Sequence, residues 1–387
     1  SRIAFDEMDL WHFENNSGDL VHSTNRFFRV EALSCKQNFG QVRSWQQPII
    51  NQQEIGILGF ISKEFEGVRH FLLQAKMEPG NINTIQLSPT VQATHSNYQK
   101  VHKGKTPRYL EYFLSSQKRI MVDQLQSEQG TRFLRKRNRN IIIDCKDAIE
   151  EDENFIWVTL GQLKTLTALD NHVNMEARSI LSCIPMLPNS NLLENIKTQF
   201  PLDEFNQKLL SSVFEKNKAH HTKEEILQWM TEYKSNLYIR NSYLPLGCID
   251  DGWENNGYEI KHNTKKFFSI LAVAVEAPNR EVSKWTQPLI NSLNPSINGW
   301  ICRTINEVLH FLVKIRLEPG SIDLAELSPT VATTEGESCV SEKTPPPYYR
   351  SFLHPAKEPV RHSSLQTAEG GRFFHDTFQC VLPEMND

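Results

Sequence analysis

An internal repeat constrains this chain more than any other feature of its sequence. Glu14-Asn15-Asn16 recurs as Glu254-Asn255-Asn256, 240 positions later. The same offset relates Trp45-Gln46-Gln47-Pro48 to Trp285-Thr286-Gln287-Pro288, His70-Phe71-Leu72 to His310-Phe311-Leu312, Glu78-Pro79-Gly80 to Glu318-Pro319-Gly320, Leu87-Ser88-Pro89-Thr90-Val91 to Leu327-Ser328-Pro329-Thr330-Val331, and Gly130, Arg132 and Phe133 to Gly370, Arg372 and Phe373. So many matches at one spacing indicate two copies of one module, related by pseudo-two-fold symmetry.

Each copy is rich in short apolar runs bounded by Gly or Pro, which predict strands. The predicted strands are Phe27–Leu33, Gly56–Ile61, His70–Met77, Ile141–Ile143, Phe267–Val275 and His310–Leu317. Between the copies, helical spacing predicts helices at Leu160–Leu169, Leu192–Ile196 and Lys223–Tyr233, the last with Thr222 as N-cap and Glu225 at the capping-box position. We therefore predict an α+β protein with a first module at 1–150, a mainly helical connector at 151–240 and a second module at 241–387.

Composition excludes some classes of protein. The net charge is −4, which disfavours nucleic acid as a partner. The seven cysteines are scattered and never form a CxxC pair, a pattern typical of reduced thiols. No apolar run approaches ~18 residues and no signal pattern opens the chain, so we expect a soluble, cytoplasmic protein without a membrane partner.

The stretch from Glu78 to Tyr98 carries an uncharged polar face. From Ile85 to Thr94, polar side chains alternate with apolar ones, as in a strand with one face toward the core. Its polar members are Gln86, Ser88, Thr90, Gln92 and Thr94. Such donors and acceptors suit a polyhydroxylated ligand, although a solvated surface would also explain them. Pro89 predicts an edge strand or a break.

A basic run covers residues 132–140. Alternation places Arg135, Arg137 and Arg139 on one face, with Lys136, Asn138 and Asn140 on the other. With Arg132, these guanidinium groups are candidates for a diphosphate clamp. A charged strand paired with acidic residues is the alternative, and the acidic net charge argues against nucleic acid.

Candidate acid–base residues are less specific. His95 and His102 lie beside the polar stretch in segments that the second copy does not match, whereas His22 and His70 recur and are more typical of structure. Glu78, Glu111 and Glu128 could each act as a general base if burial raised the pKa. No HExxH motif or phosphate loop is present, and a Nudix-like fold would lack the metal-binding glutamate helix of the pyrophosphatases.

Taken together, the motifs resemble the NDP-hexose 2,3-dehydratase family of deoxysugar biosynthesis over essentially the whole chain. The residues that carry the resemblance are 45–50, 54–59, 74–81, 86–94, 132–140, 171–175 and 328–331. The resemblance implies two Nudix-like modules per subunit, a homodimer, and elimination of water from dTDP-4-keto-6-deoxy-D-glucose without a metal or redox cofactor. It also implies that a 3-ketoreductase acts next on the unstable product.

In that chemistry, the 4-keto group acidifies the hydrogen at C3, a base removes it, and the C2 hydroxyl leaves. We expect Glu128, Lys76 or His95 to carry the catalytic role. Arg132, Arg135, Arg137 and Asn138 would hold the diphosphate, the polar face with Asn97 would hold the hexose, and Trp45 or Tyr98 would stack on the thymine.

The two copies differ where this chemistry resides. Residues 92–98 of the first copy correspond to Ala332-Thr333-Thr334-Glu335-Gly336-Glu337-Ser338, which departs from the family pattern. The second copy also replaces residues 135–139 with His375-Asp376-Thr377-Phe378-Gln379, which has no arginine. We therefore expect the first module to carry the working site and the second to be degenerate. A non-catalytic nucleotide-sugar-binding protein is the alternative.

Overall fold

A computed structural model describes residues 1–40, 42–94, 106–185, 202–214, 216–265, 267–277, 282–292, 296–323, 325–333, 347–353 and 359–385. These residues form a mixed α and β structure in which strands predominate over helices. Within the described ranges, no helix is long and apolar enough to cross a lipid bilayer.

The strands and helices are numbered in chain order. In the first half, the strands are β1 (Arg2–Ile3), β2 (Trp11–Phe13), β3 (Leu20–His22), β4 (Arg29–Gln37), β5 (Ser44–Asn51), β6 (Gly56–Phe65), β7 (Val68–Met77), β8 (Ile85–Pro89), β9 (Val91–Ala93), β10 (Arg119–Ser127), β11 (Phe133–Leu134), β12 (Arg137–Asp144) and β13 (Phe155–Thr159). In the second half, they are β14 (Ile239–Leu244), β15 (Trp253–Asn255), β16 (Glu259–His262), β17 (Ser269–Glu276), β18 (Lys284–Asn291), β19 (Ser296–Gly299), β20 (Ile301–Ile305), β21 (Val308–Leu312), β22 (Lys314–Arg316), β23 (Glu326–Ser328), β24 (Val331–Thr333), β25 (Val360–Thr367) and β26 (Thr377–Pro383). The α-helices are α1 (Leu110–Leu114), α2 (Leu160–Thr167), α3 (Met175–Ser182), α4 (Glu204–Phe214), α5 (Lys223–Asn236) and α6 (Tyr349–Leu353), and short 3-10 helices occupy Phe5–Glu7, Lys216–Lys218 and Leu246–Cys248.

The first half builds two sheets. One has the order β11-β5-β4-β3-β2, with β14 added on β4, and the other has the order β10-β12-β6-β7-β13. In the second sheet, β8 pairs with β7 while β9 pairs with β6, so the stretch from Ile85 to Ala93 lies between β6 and β7 where those two strands separate. Helices α2 and α3 cover one face of this sheet with Leu163, Ala177 and Ile180.

The second half repeats this arrangement at the offset of the sequence repeat. Strands β15, β16, β17 and β18 form the counterpart of the first sheet, and β24-β19-β26-β25 form part of the counterpart of the second. Strand β6 corresponds to β19 and β20 together, and β7 to β21 and β22.

The two halves exchange their first strands. Strand β1, at the start of the chain, pairs with β17 of the second half. Strand β14, at the start of the second half, pairs with β4 of the first. Each half therefore completes a sheet of the other, which holds the two together through backbone hydrogen bonds.

The halves also share the largest hydrophobic core cluster. Most of its buried members form pairs at the repeat offset, such as Phe28 with Phe268 and Phe133 with Phe373. The rings of Phe133 and Phe373 lie 6.0 Å apart in an edge-to-face contact. The core thus lies between the halves as well as within them.

Several predictions about local structure are confirmed. Helix α5 follows Thr222, whose side chain accepts a hydrogen bond from the Glu225 amide in a capping box. The polar stretch is broken after Pro89, as the proline predicts, because the chain changes its pairing partner there. The region 151–240 is not only helical, since β13 and β14 at its ends join sheets of the first half. The predicted helix at 192–196 lies outside the described residues.

Candidate active site

A cavity lined by residues of both halves has a volume of about 340 Å³, within the range of small-molecule sites. The first half contributes Trp11, His22, Phe27, Phe28, Gln52, Lys76, Glu78, Gln92 and Thr94, and the second half contributes Lys284, Trp285, Thr286, Gln287, Glu369 and Arg372, among others. The sequence analysis placed the site in the first module, whereas both halves line this cavity.

One wall of the cavity is a hydrogen-bonded network at the end of β7. The Lys76 ammonium lies 3.1 Å from Oε1 of Glu78. Nε2 of Gln92 donates to the same Glu78 oxygen at 2.9 Å and to Oε1 of Glu176 at 3.0 Å. Asn174 donates to Oε2 of Glu78 at 3.3 Å. The Glu78 carboxylate therefore has three donors, which fix its position and that of Lys76.

The connector reaches this wall because it pairs with β8. The amide of Leu87 donates to the carbonyl of His172, and the amide of Asn174 donates to the carbonyl of Leu87. Asn174 then caps α3, because its Oδ1 accepts from the Ala177 amide at 2.9 Å. This cap places Asn174 and Glu176 beside the first-half strands.

Another part of the cavity wall comes from the loop between β25 and β26, which packs against the Glu78-Pro79-Gly80 turn. Its Gly371 amide donates to the carbonyl of Pro79, and the His375 amide donates to the carbonyl of Gly80. This contact brings Glu369 and Arg372 to the cavity. The Arg372 guanidinium lies over the Phe28 ring, 4.4 Å from its centroid, and donates to Oε1 of Gln52 through Nη2 at 2.9 Å.

A second cluster of charged groups lies beside the cavity without lining it. Asn138 donates to Oε1 of Glu128, and the Lys136 ammonium donates to the carbonyl of Glu54 at 2.7 Å. Burial lowers the pKa of Lys136. Glu128, predicted to be a catalytic candidate, belongs to this cluster.

Burial governs the protonation of three carboxyl groups. It raises the pKa of Glu176 well above its usual range, and the charges of Glu78 and Glu369 add to the effect. Burial also raises the pKa of Glu369, against the opposing charges of Arg372 and Lys136. The pKa of Glu128 rises to about 8, first through burial and then through the charge of Glu369. Carboxyl groups with shifted pKa values beside a cleft are candidates for acid–base chemistry.

The predicted polar face is divided by the structure. Gln92 and Thr94 line the cavity. Gln86, Ser88 and Thr90, predicted to form the polar floor for the hexose, are buried and do not line this cavity. Gln86 is hydrogen-bonded to Asn171 and Thr367. The Thr90 hydroxyl accepts a hydrogen bond from the Ile61 amide of β6 and donates one to the Leu72 carbonyl of β7. It thus gives a hydrogen-bond partner to one backbone group of each strand at the point where the two strands separate.

The basic run alternates as predicted but does not face the cavity. Residues 136, 138 and 140 are buried, and residues 135, 137 and 139 are at least partly exposed. Arg139 forms a two-point ion pair with Asp123 on β10, which is the alternative that the sequence left open. Arg132 is buried under the Phe268 ring at 4.1 Å. The Arg135 amide donates to the Gly320 carbonyl. Arg137 lies on β12 and does not line the cavity.

Trp45 belongs to a pseudo-symmetric counterpart of the cavity. We call this region the mirror site and define it by Trp45, Gln47, Arg132, Arg316 and Glu318. It repeats one contact of the cavity, since Trp45 donates to Gln47 at 2.9 Å as Trp285 donates to Gln287 at 2.7 Å. In the mirror site, the Gly130 amide also donates to Glu318 at 2.6 Å. Of the other predicted residues, His95, Asn97 and Tyr98 lie outside the described part of the chain.

Sequence reasoning missed Trp285, Glu369 and Arg372, which line the cavity. It also missed Asn174 and Glu176, which hydrogen-bond to the lining residues Glu78 and Gln92. Arg372 and Trp285 match Arg132 and Trp45 in the repeat, so the sequence did mark them. They were passed over because they belong to the copy that was predicted to be degenerate. Residues 171–175 stood among the motifs that carry the family resemblance. Glu369 had no signal, since its counterpart Gln129 has different chemistry. Among the residues that the structure describes, no group of three or more His, Cys, Asp or Glu side chains could hold a metal ion.

Two carboxyl groups, Glu78 and Glu369, and the Lys76 ammonium line one cavity, which makes it a candidate site for acid–base chemistry. Comparison with known proteins gives the family. The model of the NDP-hexose 2,3-dehydratase family matches residues 1–184 and 223–387. The chain therefore belongs to the NDP-hexose 2,3-dehydratase family.

Three relatives share most of the chain, and each is named dTDP-4-dehydro-6-deoxy-alpha-D-glucopyranose 2,3-dehydratase. The one from Saccharopolyspora spinosa is 41% identical over 379 residues, covering 97% of this chain and 76% of the relative. The one from Amycolatopsis orientalis is 40% identical, covering 96% and 75%. The one from Streptomyces violaceoruber is 37% identical, covering 97% and 81%.

Proposed function

We propose that this protein is a sugar-nucleotide 2,3-dehydratase that eliminates water across C2 and C3 of dTDP-4-keto-6-deoxy-D-glucose. The product is a 3,4-diketo-2,6-dideoxy sugar. Family membership and the names of the three relatives support this reaction. The structural observation that carries the proposal is that Lys76 and Glu369, from different halves of the chain, line the same cavity.

The reaction needs one base and one group that stabilises negative charge. The 4-keto group acidifies the hydrogen on C3, and removing it leaves an enolate with its charge on the C4 oxygen. When the carbonyl re-forms, the C2 hydroxyl leaves and takes up a proton, so that one water is lost. The resulting enol takes a proton at C2 and becomes the 3-ketone.

Glu369 is the proposed general base. It is partly buried at the cavity, and its raised pKa makes it a better proton acceptor near neutral pH than an ordinary carboxylate. Its Oε2 atom is buried and accepts no hydrogen bond from the described residues. A positioned base of this kind contributes on the order of 10²–10⁴-fold to the rate.

Lys76 is the proposed electrophile. Its ammonium is held by Glu78 at 3.1 Å and is largely removed from water. A fixed positive charge in such a site stabilises a developing enolate more than the same charge in water does. The same ammonium can also donate a proton to the departing C2 hydroxyl. Lys76 thus retains the catalytic role predicted from sequence, while Glu369 replaces Glu128 as the proposed base.

The nucleotide is proposed to bind through the second half. Arg372 is fixed by Gln52 and Phe28, and Lys284 lines the same cavity, so the two offer positive charge to a diphosphate. Trp285 presents an aromatic surface that suits stacking on thymine. These residues take over the roles that the sequence analysis gave to Arg132, Arg135, Arg137 and Trp45.

Further parts of the proposal concern architecture and partners. The recurrence of the strands at the repeat offset supports two Nudix-like modules joined by the connector, with the mirror site as the degenerate copy. Ala332 at the position of Gln92 and Gln129 at that of Glu369 support the degeneracy. A homodimer, a cytoplasmic location and a 3-ketoreductase that consumes the product complete the proposal.

The reaction itself is tested with purified protein and dTDP-4-keto-6-deoxy-D-glucose. We expect mass spectrometry to show loss of one water, with the product trapped by a 3-ketoreductase and its reduced cofactor. Lys76→Met serves as the inactive control. Substrate that binds, as measured by calorimetry, but is recovered unchanged would contradict the dehydratase and identify a nucleotide-sugar-binding protein.

A further inference from the structure

Glu176 of the connector hydrogen-bonds to the cavity residue Gln92, and the proposed chemistry assigns it no role. It lies at the second position of α3 and is only 1% exposed. Its Oε1 accepts a hydrogen bond from Gln92 at 3.0 Å. Its Oε2 is buried and makes no hydrogen bond with the described residues. Nothing in the reaction described above requires a further carboxyl group here.

The direction of every hydrogen bond around Glu176 follows from the helix cap. Oδ1 of Asn174 accepts from the Ala177 amide, so its Nδ2 must face the other way. This Nδ2 donates to Oε1 of Gln92 at 3.4 Å. The Gln92 amide nitrogen is then left to donate to both Glu78 and Glu176. The cap on α3 therefore fixes the orientation of Gln92.

The geometry also decides which carboxyl group carries charge. Glu78 and Glu176 bind the same nitrogen at 2.9 and 3.0 Å, so their oxygens lie less than about 6 Å apart. Two charged carboxylates at this separation in a buried site repel strongly, and one of them takes up a proton. Glu78 has the Lys76 ammonium and two amide donors, whereas Glu176 has one amide donor.

We propose that Glu176 is a positioning residue of the active site: as an uncharged acid, it anchors Gln92, which in turn holds Glu78 against Lys76. This inference rests on the proposed function for its catalytic consequence. The mirror site has Ala332 at the position of Gln92, so the corresponding region lacks the anchored amide.

The groups that face Glu176 are consistent with an uncharged acid. Glu78 and Lys76 face it from β7 and the turn after it, and Glu369 faces it from the loop of the second half. On its own helix, Arg178 is engaged elsewhere, donating to Gln366 and to the carbonyl of Thr367. Two acidic groups and burial thus oppose a charge on Glu176, and Lys76 is already paired with Glu78.

The test that needs no substrate is stability as a function of pH, with Glu176→Gln as the variant. Glutamine keeps a carbonyl oxygen for Gln92 but cannot ionise. If folding holds Glu176 uncharged, the wild type loses stability relative to this variant as the pH rises from 5 to 8. One proton difference changes the folding equilibrium by up to about tenfold per pH unit. We expect Glu176→Gln to be more stable than the wild type at pH 8, with the difference shrinking toward pH 5.

A matched control comes from α5, where the exposed Glu224 occupies the same second helical position. Glu224→Gln should show no growing difference between pH 5 and 8. A Glu176→Gln variant that is less stable than the wild type at pH 8 would overturn the proposal, since it would mean that Glu176 is charged and stabilises the helix N-terminus.

The catalytic part is tested by turnover. We expect Glu176→Ala to lower kcat at least tenfold while KM changes less than threefold, and Glu176→Gln to restore most of that loss. Equal loss of kcat in both variants would overturn the positioning role. If the wild type shows no dehydration at all, the proposed function fails, and the pH dependence of stability still decides the charge state of Glu176. If Glu176→Ala does not fold, the pH dependence of the stability of Glu176→Gln still tests whether Glu176 is uncharged, and the kcat of Glu176→Gln tests whether an uncharged side chain supports turnover.

Discussion

The pKa of Glu128 is raised both by burial and by the charge of a neighbouring carboxyl group. Its carboxyl group is partly buried, accepts a hydrogen bond from Asn138, and lies in the field of Glu369 on the other half of the chain. Burial is the main reason that its pKa rises to about 8. A carboxyl group with a raised pKa in the folded state stabilises the fold fully only below its unfolded pKa, and this stability is lost as the pH rises toward 8.

We expect Glu128→Gln to remove this pH dependence. Between about pH 4.5 and 8, the wild type should lose up to about 1.4 kcal/mol of unfolding free energy per pH unit relative to the variant. Denaturant unfolding at several pH values measures the difference. Glu111→Gln, at an exposed position on α1, is the control. If the unfolding free energies of the wild type and Glu128→Gln change in parallel with pH, the raised pKa of Glu128 is contradicted.

At this scale, sequence predicted the pattern of side chains but not their partners. Alternation correctly separated the buried Lys136, Asn138 and Asn140 from the outer arginines. It could not show that Arg139 pairs with Asp123, because that pairing depends on the register between β10 and β12. It also could not show that Arg132 is buried under Phe268, which lies far away in the chain.

Among local elements, the Glu-Pro-Gly turn holds the two halves together. Gly80 has a φ of +90°, and a side chain there would overlap the carbonyl of Phe373. In the other half, a side chain at Gly320 would overlap the carbonyl of Phe133. Both turns therefore need glycine because the backbone of the opposite half passes directly over them.

Gly80→Ala should thus destabilise the protein by several kcal/mol, through steric overlap in addition to backbone strain of about 1–3 kcal/mol. Gly67→Ala is the matched control, since Gly67 has a φ of +78° and open space around it. Thermal unfolding of the two variants compares them. Similar losses in both would show that contact with the opposite half contributes nothing at Gly80.

Elements with local signals were predictable, and those that depend on distant packing were not. Thr222 and Glu225 predicted the start of α5 because capping acts within one turn. Pro89 predicted the break between β8 and β9. The burial of Gln86 and Thr90 could not be predicted, because it arises where β6 and β7 separate to admit this stretch.

For the whole molecule, the exchange of β1 and β14 makes the halves mutually dependent. Each half also leaves apolar side chains uncovered without the other, since corresponding pairs such as Val30 with Ile270 and Ile50 with Ile290 belong to the shared core. A fully buried aliphatic side chain is worth about 1.5–3 kcal/mol, and whole domains are stable by only about 5–15 kcal/mol.

A chain of residues 1–185 alone should therefore not fold cooperatively. We expect a broad thermal transition and poorly dispersed amide signals in NMR spectra. Co-expression with residues 202–387 should restore a single cooperative transition. A sharp transition for residues 1–185 alone would show that the shared core is dispensable.

The repeat in the sequence showed that two modules exist but not how they combine. Matching motifs such as Glu78-Pro79-Gly80 and Gly370 carry no information about which copy contacts which. In the structure, the turn of one half contacts the loop of the other, so each site draws residues from both. As a result, Trp45 and Arg132, which were predicted to bind the substrate, lie in the mirror site. Their counterparts Trp285 and Arg372 line the cavity.

Turnover of paired variants tests this two-half site most directly. Lys76→Met and Glu369→Gln change one cavity residue from each half, and Arg316→Met changes the counterpart of Lys76 in the mirror site. With dTDP-4-keto-6-deoxy-D-glucose, we expect water loss to fall at least 100-fold in each cavity variant and to stay within about threefold of the wild type in Arg316→Met. Full activity in Glu369→Gln, or loss of activity in folded Arg316→Met alone, would contradict a catalytic site built by both halves at this cavity.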